Sequence, residues 1–234
     1  MTESAQEGAE AAPDEVEEPS EPAAPSRGLR YFLTAVIVVG LMVMAGALGW
    51  VVRGDGGGST GLPGAGSVDV GFAEDMSTHH TQAVTMAGYE RDNTTNAGLK
   101  VLAFNIETSQ EMQLGQMGGW LDTWDQPRTN QHEMAWMGHP SLGPNALMPG
   151  MATPAQMNRL ESLHGKALDI LFLQLMIHHH QGGIAMAQYA AQHAGEPYVR
   201  ALAGAMYVTQ SDEIVQMEQQ LRQLGGAPLP KPTT

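Results

Sequence analysis

Apolar and polar positions divide the chain into one uninterrupted apolar run and a longer region of helical periodicity. Tyr31–Val52 carries no charged residue and is long enough to cross about 30 Å of hydrocarbon, which predicts a transmembrane anchor. Beyond residue 67, apolar residues recur at helical spacing, and no alternating pattern typical of strands competes. The predicted segments are an acidic disordered tail at 1–30, the anchor at 31–52, a Gly-rich linker at 53–66, an all-α domain at 67–226 and a Pro-rich tail at 227–234.

Cap and turn residues define the helices of this domain. The predicted helices run over Val68–Arg91, over Ala97–Trp124, from a capping sequence at Thr153–Gln156 to about Ala194 with a break near Gly165, and from Glu196 to Gly225. The polar turn at 92–96 separates the first two helices. Four prolines between Gln126 and Gly150 predict a long crossover instead of a helix.

A stretch in the third predicted helix repeats a stretch in the first. Met176–Ala187 reads MIHHHQGGIAMA and Met76–Ala87 reads MSTHHTQAVTMA, so methionine, two histidines, methionine and alanine recur at the same places one hundred residues apart. At about 100° per residue, these side chains fall on one stripe of each helix. His178 falls on the opposite face and has Thr78 as its counterpart, which separates the candidate site residues from a bystander.

The helix that follows each His stretch is repeated as well. Ser109–Met117 aligns with Thr209–Met217 at the same offset, with two glutamines, an aliphatic residue and a methionine in common. Each half is therefore a helical hairpin whose apolar stripe must be buried. Two such hairpins joined by one long crossover predict a four-helix bundle.

Composition restricts the chemistry of this stripe. The chain has 16 methionines, 9 histidines and no cysteine, which excludes disulfides, thiolate zinc sites and iron–sulfur clusters. A net charge of −14 with only 11 Lys and Arg residues argues against nucleic acid as a partner. Imidazole, thioether and carboxylate groups remain as metal ligands.

A stripe that combines thioether and imidazole favours copper. Thioether sulfur is a soft, neutral ligand that binds Cu(I) well and hard cations poorly, whereas imidazole also accepts Cu(II). Cu(I) is therefore the favoured ion and Cu(II) the alternative. The predicted principal ligands are His79, His80, His179 and His180, with Met76, Met86, Met176 and Met186 as soft ligands and Met117 and Met217 in support.

Other interpretations compete with copper binding. A buried methionine or histidine more often packs a core than binds a metal, so a structural module that packs against a partner protein is the first alternative. Imidazoles without a ligand would cost about 1–3 kcal/mol each on such a seam, which weighs against it. A di-iron oxidoreductase needs two Glu-x-x-His pairs, and only Glu161 with His164 is present. A serine hydrolase would need a Gly-x-Ser-x-Gly sequence, which the chain lacks.

The crossover carries a second group of candidate residues. They are Met134, Met137, His139, Met148 and Met151. The sequence leaves open whether they capture copper, form a lid or pack the loop against the helices. The three histidines without a counterpart in the repeat are predicted to lie on the surface or to support other residues; they are His132, His164 and His193.

Charges that flank the apolar run orient it. Arg27 and Arg30 precede the run and Arg53 follows it, a bias that places the amino terminus in the cytoplasm and the helical domain outside. Residues 45–47 would suit a signal peptidase. The long polar region before them and the length of the apolar run favour an uncleaved anchor.

At these residues the sequence resembles the domain of unknown function 305 (DUF305) family, over about residues 69–224. The resemblance rests on Asp75-Met76, His79-His80, Met86-Ala87, Ile106, Gln110-Glu111, Met117, Trp120-Leu121, Met148-Pro149-Gly150-Met151, Phe172-Leu173, Met176 to His180 and Met186-Ala187. It implies a ferritin-like helical bundle that is usually exported or membrane-anchored. The family includes periplasmic proteins that bind copper and support copper resistance, and no catalytic reaction is assigned to it as a whole.

The first copy of the repeat departs from the second at two positions. Thr78 and Gln82 stand where the second copy has His178 and Gly182. A degraded first site would make the two halves differ in copper affinity.

The sequence therefore predicts a membrane-anchored domain outside the cytoplasm that binds copper and is not an enzyme. The domain would buffer the metal, store it or pass it to a copper-transfer protein. The number of ions and homo-oligomerisation stay open.

Overall fold

Every regular element in the described part of the chain is helical. The computed structural model describes residues 61–140, 142–143 and 146–232, so the predicted tail and anchor and most of the linker lie outside the described residues. The helices are α1 (Val68–Asn93), α2 (Ala97–Thr123), a short 3₁₀ turn (Ala135–Met137), α3 (Pro154–Ser162), α4 (Gly165–His193) and α5 (Pro197–Gln223). The all-α prediction is confirmed for this part, and none of its helices is both long and apolar enough to span a membrane.

Polar side chains cap the first turns of α1, α2 and α3. The Ser67 hydroxyl accepts a backbone N–H from the first turn of α1, and the Asn96 amide oxygen does the same for α2. α3 begins with a capping box in which Thr153 and Gln156 each bond the other's backbone. The chain leaves the helix after Ser162 and resumes it at Gly165, where the predicted break lies.

The four long helices form two antiparallel hairpins that meet mainly along α1 and α4. Two core clusters lie along this seam. The first core cluster joins the start of α1 and the end of α2 to the end of α4 and the start of α5. The second core cluster joins the opposite ends of the same helices. α1 and α4 therefore run antiparallel to each other, and both hairpins contribute to each cluster; the relation to ferritin-like bundles stays a prediction.

A buried carboxylate fastens the crossover to α1. Asp75 is fully buried, and its Oδ2 accepts the backbone N–H of Met134 and the indole N–H of Trp136, both at 2.7 Å. The Trp136 ring lies against the backbone of Gly71, where an added Cβ would be 2.5 Å from the indole. Met134 and Met148 are buried in the first core cluster. This end of the crossover is thus part of the core.

A buried aspartate near the start of each long inner helix ties one hairpin to the other. Asp69 in α1 accepts the backbone N–H groups of the two residues before α5, at 2.8 and 2.7 Å. Its counterpart Asp169 in α4 accepts the Thr94 hydroxyl at 2.8 Å. The second end also holds the carboxyl group of the fully buried Glu90. Burial, followed by the charge of Asp169, raises the pKa of Glu90 to about 8.

Replacing Glu90 by glutamine is expected to stabilise the domain at neutral and alkaline pH. The carboxyl has its ordinary pKa of 4.5 in the unfolded chain and about 8 in the folded one, so the folded state loses stability as the pH rises through that window. Glu90→Gln removes this titration and should raise the free energy of unfolding by on the order of 2–4 kcal/mol at pH 8, with little change at pH 4.

Urea denaturation at several pH values measures this difference. Glu111→Gln on the exposed face of α2 is the matched control and should leave the stability unchanged. A Glu90→Gln variant that is less stable than the wild type at pH 8 would contradict the raised pKa.

Candidate metal centre

Four histidines form a buried layer, the imidazole layer, at the middle of the α1–α4 seam. His79, His80, His179 and His180 are each at most 1% exposed. The rings of His79 and His179 contact each other across the seam in a tilted arrangement, with their centroids 3.7 Å apart and 34° between their planes. The His179 and His180 centroids are 6.3 Å apart. The structure thus brings together the four imidazoles that the repeat selects.

A hydrogen bond to an oxygen engages Nε2 in all four rings. The acceptors for His79, His80, His179 and His180 are, in that order, the Pro149 carbonyl (3.2 Å), Gln113 Oε1 (2.6 Å), the His79 carbonyl (2.9 Å) and Glu213 Oε2 (2.8 Å). Because these oxygens can only accept, the proton lies on Nε2 and the lone pair on Nδ1. The Nδ1 atoms of His79, His80 and His180 are buried without a hydrogen-bond partner.

Burial favours the neutral form of three of these imidazoles. Loss of water, with a smaller contribution from the neighbouring imidazoles, lowers the pKa of His79 to about 3 and that of His80 to about 4. The same two causes hold the pKa of His179 well below its usual value. At neutral pH the Nδ1 atoms of His79, His80 and His179 therefore carry a lone pair and no proton. A buried polar atom without a partner costs about 1–3 kcal/mol, which a bound metal ion would relieve.

Three methionines lie on each side of the imidazole layer, and all six are fully buried. Met76, Met117 and Met186 belong to the first core cluster, and Met86, Met176 and Met217 belong to the second. Each set takes one residue from α1, one from α4 and one from an outer helix. The repeat relates the two sets to each other. Because α1 and α4 are antiparallel, Met76 lies in the same cluster as Met186, and Met86 lies in the same cluster as Met176.

Two glutamines add unpartnered polar atoms beside the imidazoles. Gln110 and Gln210 are equivalent in the repeat and buried, and neither the amide atoms of Gln110 nor Oε1 of Gln210 has a hydrogen-bond partner. Gly183 leaves space here, because an added Cβ would lie 2.7 Å from Gln210 Oε1 and 3.2 Å from His79 Cε1. In the part of the chain that the structure describes, no three His, Asp or Glu side chains are placed to hold an ion by themselves. An ion bound here would therefore need thioether or amide ligands as well.

Comparison with known proteins identifies the family. Residues 69–221 match the model described as a domain of unknown function, DUF305. The chain belongs to the DUF305 family. This confirms the family resemblance of the sequence. No curated protein is detectably similar to the chain.

Solved structures of DUF305 proteins share this helical arrangement. A candidate secreted DUF305 protein from Streptomyces coelicolor is 39% identical, with 71% of this chain and 99% of that chain covered and a TM-score of 0.67. A DUF305 fragment from Deinococcus radiodurans is 34% identical, with 67% and 96% covered and a TM-score of 0.57. CopM in its Cu(I)-bound form is 26% identical, with 68% and 98% covered and a TM-score of 0.52.

The crossover of this DUF305 domain passes over the imidazole layer. The Pro149 carbonyl that accepts from His79 lies so close to α4 that a Cβ on Gly182 would be 1.9 Å from it. On α1, the equivalent residue Gln82 makes two hydrogen bonds with the backbone of Ala152, at 2.9 and 2.6 Å. The difference between the two copies at position 82/182 therefore accommodates the crossover, and Gln82 has a structural role there. A difference in copper affinity between the two halves stays a prediction.

The other candidate residues of the DUF305 domain lie outside the imidazole layer. Of the crossover group, Met134 and Met148 are buried in the first core cluster, Met137 and Met151 pack at its edge, and His139 is exposed. The histidines without a counterpart, His132, His164 and His193, are exposed, which agrees with the predicted surface position. The bystander His178 donates its Nδ1–H to the Pro230 carbonyl at 2.9 Å, away from the seam.

The groups that accept hydrogen bonds from the imidazoles are not among those predicted from the sequence. Gln113 and Glu213 lie at matching places in the second repeated stretch, so the offset of one hundred residues could have marked them. The Pro149 and His79 carbonyls are backbone groups, and no side-chain pattern indicates them.

Replacing Gly182 by alanine is expected to push the crossover away from the imidazole layer. The new Cβ would overlap the Pro149 carbonyl, a backbone group that cannot rotate aside, so we expect a loss of about 1–3 kcal/mol in the free energy of unfolding. Amide exchange at residues 148–152 should become faster. Urea denaturation and hydrogen exchange measure both effects.

Gly204→Ala in α5 is the matched control, because nothing lies within 4 Å of the added methyl group. Helix propensity makes this control neutral or stabilising by up to about 1 kcal/mol. Equal stability of the two variants would contradict the close approach of the crossover.

Proposed function

We propose that this DUF305 domain binds copper, with Cu(I) as the favoured ion and Cu(II) as the alternative. The observation that carries the proposal is the layer of four buried imidazoles, three of them with unpartnered Nδ1 atoms, between two sets of buried thioethers. Imidazole nitrogen and thioether sulfur suit a soft transition ion better than a hard one. CopM supports the proposal, because that relative has been solved in Cu(I)-bound and Cu(II)-bound forms.

The residues that would hold the ion are those that the repeat selects. The imidazoles are the principal ligands, and the six methionines that flank them are the soft ligands. Copper would supply a partner for the orphaned Nδ1 atoms, and the Nε2 hydrogen bonds would hold each ring in the tautomer that presents this nitrogen. The burial of the site favours storage or controlled transfer over rapid exchange with solvent.

We further propose that the domain works outside the cytoplasm as a membrane-anchored binding protein that buffers copper, stores it or hands it to a protein partner, and that it is not an enzyme. The apolar run at Tyr31–Val52 and its flanking arginines support the anchor. The Streptomyces relative is named as a candidate secreted protein, which supports the location. A di-iron enzyme would need two Glu-x-x-His pairs in the bundle core. The single pair in this sequence, Glu161 and His164, is exposed at the end of α3.

A second candidate function is the docking of a partner protein through the outer helices. Phe104 and Met112 on α2 are 52% and 45% exposed, and Val208 and Val215 on α5 are 56% and 65% exposed. Such side chains favour contact with another protein surface. Metal titration separates the two functions, because a docking module without a metal site would bind no copper.

Replacing His179 and His180 together by alanine is expected to lower copper affinity at least about tenfold, because two imidazole donors are removed. The measurements are elemental analysis after exposure to copper, zinc and iron, and titration against a Cu(I) chelator. His164→Ala with His193→Ala is the matched control, since both rings are exposed. Circular dichroism checks that both variants are folded. Unchanged copper stoichiometry and affinity in a folded His179, His180 variant would contradict the assignment.

Replacing Met76, Met117 and Met186 together by leucine is expected to weaken binding of Ag(I), a redox-inert analogue of Cu(I), at least about tenfold. Leucine keeps the volume and burial of the core while it removes the thioether. Met206→Leu is the control within the same cluster. Met206 is also fully buried, but its counterpart in the repeat is Ile106, so it is not one of the repeated methionines. Calorimetric titration measures the affinity. Equal Ag(I) affinity in both variants would mean that these methionines only fill space.

A further inference from the structure

The two hairpins place side chains of different charge behind equivalent imidazoles. His80 donates to Gln113 Oε1 at 2.6 Å, and His180 donates to Glu213 Oε2 at 2.8 Å. Each pair spans the same interval of 33 residues, and the repeat relates both members of one pair to both members of the other. The geometry is shared. The difference between the pairs is therefore one negative charge.

The neighbouring donor groups do not produce this difference. The flanking methionines are matched, three on each side and all fully buried. Gln110 and Gln210, one turn from the residues that hold the imidazoles, are identical and both buried. These groups are matched in the two halves, whereas the groups that accept the Nε2–H of His80 and of His180 differ by one charge.

Glu213 is positioned to act on His180 in particular. Its side chain is 16% exposed, and its Oε2 accepts the Nε2–H of His180. The His180 ring is fully buried, and its Nδ1 has no hydrogen-bond partner. A carboxylate that accepts the N–H of an imidazole orients the ring and makes the opposite nitrogen a stronger donor to a metal. The neutral amide of Gln113 orients His80 without adding charge.

We propose that the negative charge of Glu213 makes the His180 half prefer the divalent ion Cu(II). The His80 half, which has the neutral Gln113 at the same place, prefers the monovalent ion Cu(I). The Coulomb energy between an ion and a carboxylate scales with the charge of the ion, so Glu213 favours a divalent ion about twice as strongly as a monovalent one. Behind His80 there is no such charge, and the soft thioethers decide the preference. This inference rests on the proposed copper binding and assigns a charge preference to each half of that site.

Glu213→Gln tests the charge alone, because glutamine keeps an acceptor for the Nε2–H of His180 and copies the arrangement at His80. In the full chain in detergent, we expect Cu(II) affinity to fall about 10–100-fold. The affinity for Ag(I), the probe for a monovalent ion, should fall by only the square root of that factor, about 3–10-fold, because the Coulomb energy of a monovalent ion is half as large. The converse variant Gln113→Glu should raise Cu(II) affinity at His80, and the double variant should restore tight Cu(II) binding with the preferred half exchanged.

A readout without metal checks the geometry. In the metal-free protein, ¹⁵N chemical shifts should show Nε2 protonated and Nδ1 unprotonated at His180, both in the wild type and in Glu213→Gln. Glu213→Leu removes the acceptor and should mix the two tautomers. If Glu213→Gln also mixes the two tautomers of His180, the Cu(II) affinity of Gln113→Glu becomes the deciding measurement. No gain in Cu(II) affinity in that variant overturns the inference.

Two further outcomes separate this inference from the function on which it rests. Equal losses of Cu(II) and Ag(I) affinity in Glu213→Gln, or no loss of either, overturn the role of Glu213 while copper binding by the wild type stands. A wild-type protein that binds neither ion overturns the proposed function itself.

Discussion

The contact between His79 and His179 is the constraint around which the domain is arranged. The two rings have their centroids 3.7 Å apart and are fully buried. Burial disfavours a charge on either ring, and each charge would repel the other, so both rings stay neutral. Each ring then needs an acceptor for its Nε2 proton. One acceptor is the backbone of α1 itself, and the other is the Pro149 carbonyl from the crossover. The protonation state of two side chains thus links the packing of the hairpins to the path of the loop that joins them.

The crossover is where the symmetry of the repeat ends. Only one crossover serves two equivalent helices, so the chain needs different residues on the two sides of it. Gln82 bonds its backbone, whereas Gly182 makes room for it. Asp75 fixes the opposite end of the loop, and its counterpart in the second copy is the apolar Leu175. Divergence within the repeat is therefore informative about contacts to the unrepeated segment.

The sequence could predict the helices and the members of the imidazole layer, because both follow from regular spacing. The offset between Met76–Ala87 and Met176–Ala187 selects the four histidines and separates them from His178, and the capping box at Thr153 marks a real helix start. It could not predict which methionines pack together, since that depends on the antiparallel seam. It also could not indicate that the Pro149 carbonyl orients His79, because a backbone acceptor leaves no periodic signal.

The exchange of methionine partners across the seam has an evolutionary consequence. An arrangement in which residue i of one copy meets residue j of the other, and j meets i, is the isologous contact of a symmetric dimer. A gene that encoded one hairpin would produce this packing by self-association, with the two rings in contact on the dyad. Duplication and fusion of such a gene would turn the dimer into one polypeptide, and only then could each half acquire its own substitutions, such as the carboxylate at 213 opposite the amide at 113.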